Sequence, residues 1–439
     1  MATTRRGFLG AAGSAVVYQV AGPGPQLKAA AANDQIGLGY IGCGVRSTQL
    51  MGEFNRIPGV RPIICADLYD GCLARSKEQC GADVAITKDY LEVLNRKDVD
   101  AVVIATPDHW HKKMVLDALA AGKHVYIEKP MTWSLEEGPE IMKAVEKSTK
   151  LLQVGSQGKT SPLAARARDL IKSGAIGKVN MVRMSNHRND PQGAWAYPIP
   201  PDASEKTIDW SRFHGPAPKR AFDPKVFFRW RCWWEYSGGV ATDLFVHLLT
   251  WLHEVMDVTA PSAVASMGGL CRWNDGRTVP DVMNSLFEYG EGFVADIYVN
   301  LANSYNTSAT VVLGSEGSLA LEREGLVHYR ETQLPDVQSY GTISWPKAMR
   351  EAYYESHGWT PQGRPKTPLP QRVKREVVTI GNGPSHTELF ILALRESKPS
   401  AETAAQGHYA AGAAHLANAA YRKGRRMAWD SRSGKVRES

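Results

Sequence analysis

The sequence predicts an α/β protein, with an N-terminal doubly wound parallel sheet of Rossmann type and a second, α+β part built on a mixed sheet. Three observations predict it. Short apolar runs alternate with helical stretches from residue 35 to about residue 157. The first run ends in a glycine-rich turn and the second in an acid. Beyond residue 178 the apolar runs are separated by turn residues rather than by helices. At 439 residues the chain has room for two or three domains of roughly 100–200 residues each.

Composition narrows the class. Apolar residues make up 43% and charged residues 22%, which excludes a disordered chain. No run of ~18 apolar residues lies in the body of the chain, which excludes a polytopic membrane protein. The net charge of +7 sits at the ends. Residues 1–32 carry Arg5, Arg6 and Lys28 without an acid, and residues 422–439 carry seven basic residues against Asp430 and Glu438. A nearly neutral body argues against nucleic acid as a partner, and residues 431–439 read as a solvated basic tail.

Residues 1–32 read as a signal peptide. Thr4-Arg5-Arg6-Gly7-Phe8-Leu9 precedes a weakly apolar stretch to Val20 and an Ala-rich end, with cleavage expected between Ala30 and Ala32. The arginine pair followed by Phe-Leu is similar to a twin-arginine signal, which exports folded proteins to the periplasm. A disordered basic leader is the plain alternative. Whether such a signal is cleaved or kept as an anchor is open; once removed, no integral span remains. The six cysteines match no disulfide framework and contain no Cys-x-x-Cys pair for zinc. Cys43 and Cys65 read as buried small residues.

Residues 33–157 form the predicted dinucleotide half. An apolar strand ending at Ile41 runs into Gly42-Cys43-Gly44-Val45-Arg46-Ser47, then a helical stretch over residues 48–56. The glycines allow a tight turn and close approach to a pyrophosphate, whose charge the next helix N-terminus favours. The run Val60 to Ala66 ends in Asp67, 25 residues after Gly42. An acid there can accept a ribose hydroxyl and repels a 2′-phosphate, favouring NAD over NADP. Further strands are predicted over 99–105, 124–127 and 151–154, the last ending at Gly155-Ser156-Gln157. Helices are predicted over 112–121 and 135–148.

Three motifs stand at predicted strand or helix ends. Glu128-Lys129-Pro130 follows the 124–127 strand, and Pro130 restricts Lys129 to an extended conformation, so its side chain is aimed. Alone, a surface Lys before a turn is the better reading. Gly238-Gly239 precedes a helical stretch over 242–253, in which Asp243 and His247 share a face at i, i+4. A carboxylate beside an imidazole raises its basicity and orients it, though exposed Asp–His pairs are common. Thr106-Pro107 is followed by His109-Trp110-His111. No further ligand is placed near them, so no metal is expected and both histidines read as pocket wall.

The second half, 158–430, carries strand-like runs at 178–186, 263–267, 285–289, 293–300, 309–313 and 318–321, with Gly290-Glu291-Gly292 as a hairpin signal. Five of the twelve Trp residues lie between Trp195 and Trp234. Such aromatics suit sugar rings; a long loop packing its own small core is equally compatible. Arg229, Trp230, Arg231 and Trp234 shortly precede the glycine pair and stand as substrate contacts.

Gly42-x-Gly44, Asp67, Thr106-Pro107 with His111, Glu128-Lys129-Pro130 and Gly238-Gly239…Asp243…His247 occur in that order. This ordered set, over roughly residues 34–430, resembles the glucose–fructose oxidoreductase/inositol dehydrogenase family (Gfo/Idh/MocA). The stretch Gly407 to Asp430 looks like that family's last helix and tail. The resemblance implies use of NAD(P) on sugars, polyols and their derivatives. It implies an often cis Lys-Pro bond, and an open, largely antiparallel second sheet carrying substrate contacts and often a homo-oligomer interface. Lys129, Asp243 and His247 match the family's catalytic Lys, Asp and His. Gly42, Gly44, Val45, Arg46, Asp67, Thr106, Pro107, His109, His111, Glu128, Lys129 and Gln157 stand as cofactor contacts. Ser47 in place of the third glycine and the aromatic insertion are departures that leave the substrate open.

The expected reaction is hydride transfer between a carbohydrate carbinol and NAD. His247, assisted by Asp243, takes the hydroxyl proton, and Lys129 steadies the alkoxide. A periplasm holds little free NAD, so the cofactor would travel bound and be restored in each cycle. A redox-neutral glycoside cleavage or epimerisation through a transient keto-sugar is the alternative. A non-catalytic sugar-binding protein is a third.

Overall fold

The computed structural model describes residues 35–439 apart from 306–307, 333–336, 338, 370 and 432. The leader predicted over residues 1–32 lies outside the described residues. In the first half the strands are β1 (Ile36–Ile41), β2 (Val60–Ala66), β3 (Ala85–Thr87), β4 (Ala101–Ile104), β5 (His124–Glu128) and β6 (Leu152–Gly155). They form one sheet in the order β3-β2-β1-β4-β5-β6, with every pairing parallel. All six residues of β1 are buried, as a central parallel strand covered on both faces requires. The order reverses between β1 and β4, which opens a crevice at the carboxyl ends of those strands. The predicted helices lie at Val45–Phe54, His111–Ala120 and Glu137–Lys147.

The second half adds β7 (Val179–His187), β8 (Ala263–Gly269), β9 (Val282–Tyr289), β10 (Phe293–Asn300), β11 (Ser308–Gly314), β12 (Gly317–Glu322), β13 (Gly325–Glu331), β14 (Val373–Val377), β15 (Met427–Asp430) and β16 (Lys435–Glu438). These make a ten-stranded sheet, β14-β13-β12-β11-β7-β10-β9-β8-β15-β16, with only β7 and β10 parallel neighbours. The β9–β10 hairpin turns through Gly292 at φ +89°. Both strands alternate, burying Phe287, Ala295 and Ile297 while Leu286 faces out. Helices Val246–Met256 and Ala404–Lys423 cover the buried face.

One expectation is corrected here. Residues 431–439 are not a free tail, because β16 pairs with β15 and Glu438 takes ion pairs from Lys423 and Arg425. The last helix ends at Lys423, capped by Gly424 at φ +62°, before the chain turns into β15. The chain also crosses back onto the first sheet. Val154 donates to the Glu402 carbonyl (3.1 Å), and Gln153 Nε2 donates to the His386 carbonyl (2.8 Å). Phe390, on helix His386–Glu396, packs edge-on against Phe54 and Tyr126. Among the described residues, no helix is long and apolar enough to cross a membrane.

Candidate active site

One cavity of about 2090 Å³ runs from the glycine turn to the helix that bears His247. This exceeds the roughly 300–1,000 Å³ of a single-ligand pocket. Gly42, Gly44, Val45, Arg46, Asp67, Thr106, Pro107, Glu128, Lys129, Gln157, Trp230, Asp243 and His247 all line it.

At its first end the backbone makes the site. Gly42 has φ +80°, and a Cβ there would lie 2.8 Å from the Thr106 methyl and 2.9 Å from the Ala105 carbonyl. A Cβ on Gly44 would meet nothing within 4 Å, so its surface faces open space. Gly44 caps helix Val45–Phe54 without a side-chain hydrogen bond, which leaves the first-turn N–H groups for an anion. Ser47, at the third-glycine position, is fully buried. Asp67 accepts the Cys43 N–H (2.6 Å) and the Tyr69 N–H (2.9 Å), tying the end of β2 to the glycine turn. Burial raises its pKa, against the pull of those N–H groups. Arg46 pairs with Glu128 (2.8 Å) and Glu53 (3.4 Å), yet its buried Nη2 has no partner, and neither has Thr106 Oγ1. An open glycine cradle with two unmet polar groups beside it fits a dinucleotide.

His109 and His111 are not pocket wall, and neither lines the cavity. His109 Nε2 meets the Phe213 carbonyl at 2.8 Å, between the rings of Phe213 and Tyr236, and burial lowers it to about 4. His111 bridges the Pro130 carbonyl (Nδ1, 2.7 Å) and the Thr106 carbonyl (Nε2, 3.0 Å). It ties the tip of β4 to the segment after β5, where the Lys129–Pro130 bond is cis.

At the second end side chains make the site. Lys129 Nζ donates to Asp243 Oδ1 and to the Asp243 carbonyl, both at 2.8 Å. Arg231 Nε donates to the same carboxylate oxygen at 3.1 Å. Burial pushes Asp243 up, but Lys129 and Arg231 outweigh it and hold the carboxyl well below its usual range. Asp243 and His247 couple through charge, Asp243 raising the imidazole, and not through a hydrogen bond. Residues Ala241–Phe245 form a π turn rather than α-helix, and among the described residues no hydrogen bond joins Asp243 to His247. Burial and the Lys129 charge outweigh Asp243 and depress His247 well below its ordinary value. The imidazole is therefore neutral near pH 7 and able to accept a proton.

The aromatic segment serves both readings. Trp195, Phe213, Trp233 and Tyr236 join the buried core, while Trp195, Tyr197, Phe227, Phe228 and Trp230 also reach the cavity. Two predicted contacts are corrected. Arg229 donates to the Tyr197 carbonyl (2.7 Å), and Trp234 sits under Arg422 with its carbonyl accepting from Trp133; neither lines the cavity. The short 3₁₀ turn Trp230–Cys232 brings Arg231 inward instead, its guanidinium 4.1 Å from the Trp230 ring centre. Two further ionisable residues join the site, Asp108 within the Thr106–His111 stretch and Arg188 outside every motif. Asp108 is 3% exposed, its Oδ2 has no partner, and burial followed by the Asp243 charge raises it to about 7. Arg188, just past β7, also lines the wall. The Asp108-x-x-His111 spacing was a visible signal; nothing in the sequence singled out Arg188.

Two family models match the chain and together span more than half of it. They are an oxidoreductase family with an NAD-binding Rossmann fold over residues 36–156, and the GFO/IDH/MocA C-terminal domain over residues 210–320. A glycosyl hydrolase family 109 protein 2 of Shewanella sp. (strain ANA-3) is 39% identical over 112 residues, 24% of this chain and 25% of that protein. An inositol 2-dehydrogenase of Rhodococcus erythropolis is 32% identical over 189 residues, 41% of this chain and 53% of that protein. The alignments thus span about half or less of these relatives' own length. A structure of levoglucosan dehydrogenase with NADH and levoglucosan shares the fold. Its TM-score is 0.61 at 19% identity, covering 90% of this chain and 99% of that one.

Proposed function

We propose that this chain, which belongs to the Gfo/Idh/MocA oxidoreductase family, transfers a hydride between a secondary alcohol of a sugar or polyol and a tightly held NAD. The observation that carries the reading is the convergence of Lys129, Asp243 and His247 in the cavity that also holds the glycine turn. Gly42, Gly44, Arg46, Asp67, Thr106 and Gln157 hold the dinucleotide. Asp67, half-buried at the end of β2, favours NAD over NADP. The bound nicotinamide supplies a hydride acceptor. His247, neutral because it is buried beside Lys129, takes the proton of the substrate hydroxyl. Lys129, held by two bonds to Asp243, donates to the same oxygen and stabilises its developing negative charge. Asp243 anchors Lys129 and acts on His247 only through its charge, which raises the imidazole against burial and Lys129.

The test is absorbance of the purified protein in the reduced-nicotinamide band, before and after adding sugars and polyols. A rise without added NAD supports both hydride transfer and a retained cofactor; no rise with any sugar or polyol overturns the reading. The family 109 match favours a second reading, redox-neutral glycoside cleavage through a transient keto-sugar. Chromogenic glycosides cleaved without net NADH would single it out.

The Thr4–Leu9 motif supports export by the twin-arginine route to the periplasm. Retention of a reporter fusion in the cytoplasm after Arg5-Arg6→Lys-Lys would support that route, and unchanged export would sink it. The exposed face of the ten-stranded sheet, with Met267 and Leu286 outward, supports a homo-oligomer; a monomeric sedimentation coefficient would contradict it.

A further inference from the structure

We propose that the sugar this site takes is an anion, carrying a carboxylate or a sulfate ester, and that Arg188 is the residue that binds the charged group. The proposal rests on the reading above and names its substrate class.

Arg188 is held in place and left unused. Its backbone N–H donates to the Asn300 carbonyl (2.8 Å), fixing it beside the β7–β10 pair. Its Nε donates to Oδ1 of the buried Asn186 (3.0 Å). Nη1 and Nη2 have no hydrogen-bond partner among the described residues, and no carboxylate lies within ion-pair distance. Asp190, two residues on, instead accepts the Gly193 N–H. The side chain nevertheless lines the cavity together with Tyr197, Trp230, Asp243 and His247.

Charge balance points the same way. Arg46 and Glu128 neutralise each other. Around the reacting end stand three cations, Lys129, Arg188 and Arg231, and one carboxylate, Asp243, which Lys129 and Arg231 already share. Asp108, raised to about 7, is only part-ionised near pH 7, and even fully ionised it leaves one cation over. Burial lowers the Arg188 pKa, partly offset by the Asp243, Tyr197 and Asp190 charges, yet the guanidinium stays charged near pH 7 and carries a desolvation cost. A planar guanidinium with one edge fixed and two amino groups free matches a carboxylate or sulfate in two-point geometry. The dinucleotide's phosphates do not answer this need, since the glycine turn and helix Val45–Phe54 that receive them belong to the other sheet.

The test is equilibrium binding to the NAD-loaded protein by calorimetry. The probes are matched sets: D-glucose, D-glucuronate and D-glucose 6-sulfate; the same three in the galactose and mannose series; and D-glucitol with D-gluconate. At least one charged member should bind tenfold or more tightly than its neutral partner, and the arm that does so tells carboxylate from sulfate. Arg188→Met and Arg188→Gln should bring that ratio close to one. Arg188→Lys should keep part of it, and Arg229→Met all of it. Charged and neutral members binding alike, no charged member binding at all, or a preference that survives in both Arg188 variants overturns the proposal. Neutral sugars reducing the bound NAD without any preference for anions would sink this inference alone. Arg188-dependent binding of an anion with no NADH from any sugar would sink the hydride-transfer reading and leave the anion site.

Discussion

The two sheets build opposite walls of one cavity by different means. The parallel sheet contributes strand tips in sequence order: Gly42 after β1, Asp67 after β2, Thr106 after β4 and Lys129 after β5. The ten-stranded sheet and its covering helices contribute ionisable side chains from a strand end (Arg188), a 3₁₀ turn (Arg231), a π turn (Asp243) and an α-helix (His247). A wall of backbone is sensitive to an added Cβ and indifferent to most side chains. A wall of paired charges is sensitive to the loss of any one of them.

Lys129 bridges the walls, so its removal is the harshest test of the contrast. Lys129→Ala is expected to lower kcat for sugar-dependent NADH formation by roughly 10²–10⁴-fold, while fluorescence titration still reports NAD binding. Near-normal turnover would remove Lys129 from the mechanism. Next in size is the pair Arg231→Met and Arg229→Met. Losing one charged partner of the buried Asp243 carboxylate is worth about 1.5–3 kcal/mol, or roughly 10–100-fold in kcat/KM; Arg229, outside the cavity, should change it less than about twofold. Equal effects would erase the distinction the 3₁₀ turn makes.

The backbone wall is probed with alanine. Gly42→Ala meets the Thr106 methyl and the Ala105 carbonyl at positive φ, and should cost about 1–3 kcal/mol of stability. Gly44→Ala should fold normally and weaken NAD on the order of tenfold, because its Cβ enters the cradle. A Gly44 variant that binds NAD like wild type would show that the pyrophosphate lies elsewhere. The pH profile comes next. His247 is depressed below the ordinary 6.5, so its proton-accepting form is present above its own pKa and lost as pH falls through it. The acid limb of kcat/KM should therefore lie below pH 6.5; a limb above it would exclude a buried, depressed base.

The smallest effect concerns Asp108. Its folded pKa is raised from 3.8 to about 7, so the unfolded chain ionises first and stability is lost as pH rises through this window. Asp108→Asn should raise Tm at pH 8, by on the order of 5 °C, with almost no change near pH 4. A uniform shift at both pH values would mean a packing effect instead.

The contrast also explains what could be read from the sequence. Gly42, Gly44, Asp67, Thr106 and Lys129 are legible because a parallel sheet places its ligands at strand ends, and strand ends carry local marks: glycines, an acid, Thr-Pro, Lys-Pro. Asp243 and His247 were legible as a helical pair, but not the π turn, which redirects Asp243 toward Lys129 and Arg231. His109 and His111 misled because a histidine beside a Thr-Pro turn carries no mark of whether its ring faces the cavity or two carbonyls. Arg229 against Arg231 was a matter of phase within an irregular turn, where no period applies. Arg188 lies far from every motif and joins the site only through the long-range pairing of β7 with β10 and β11. The strands β14 and β16 were missed because they are short and largely exposed, so no apolar alternation announces them, and β15, with Met427 and Trp429 buried, was missed because it spans only four residues.

Helices His386–Glu396 and Ala404–Lys423 return the chain to the first sheet, where Phe390 wedges against Phe54 and Tyr126, and Gly407 lies so close to Val154 that a Cβ would be 2.6 Å away. The nucleotide module is thus assembled from both ends of the polypeptide. A chimera spliced once near residue 157 would part Phe390 and Gly407 from the sheet they cover. Grafting a new specificity onto this scaffold calls for an internal cassette, cut on both sides of the ten-stranded sheet, with the closing helices left at home.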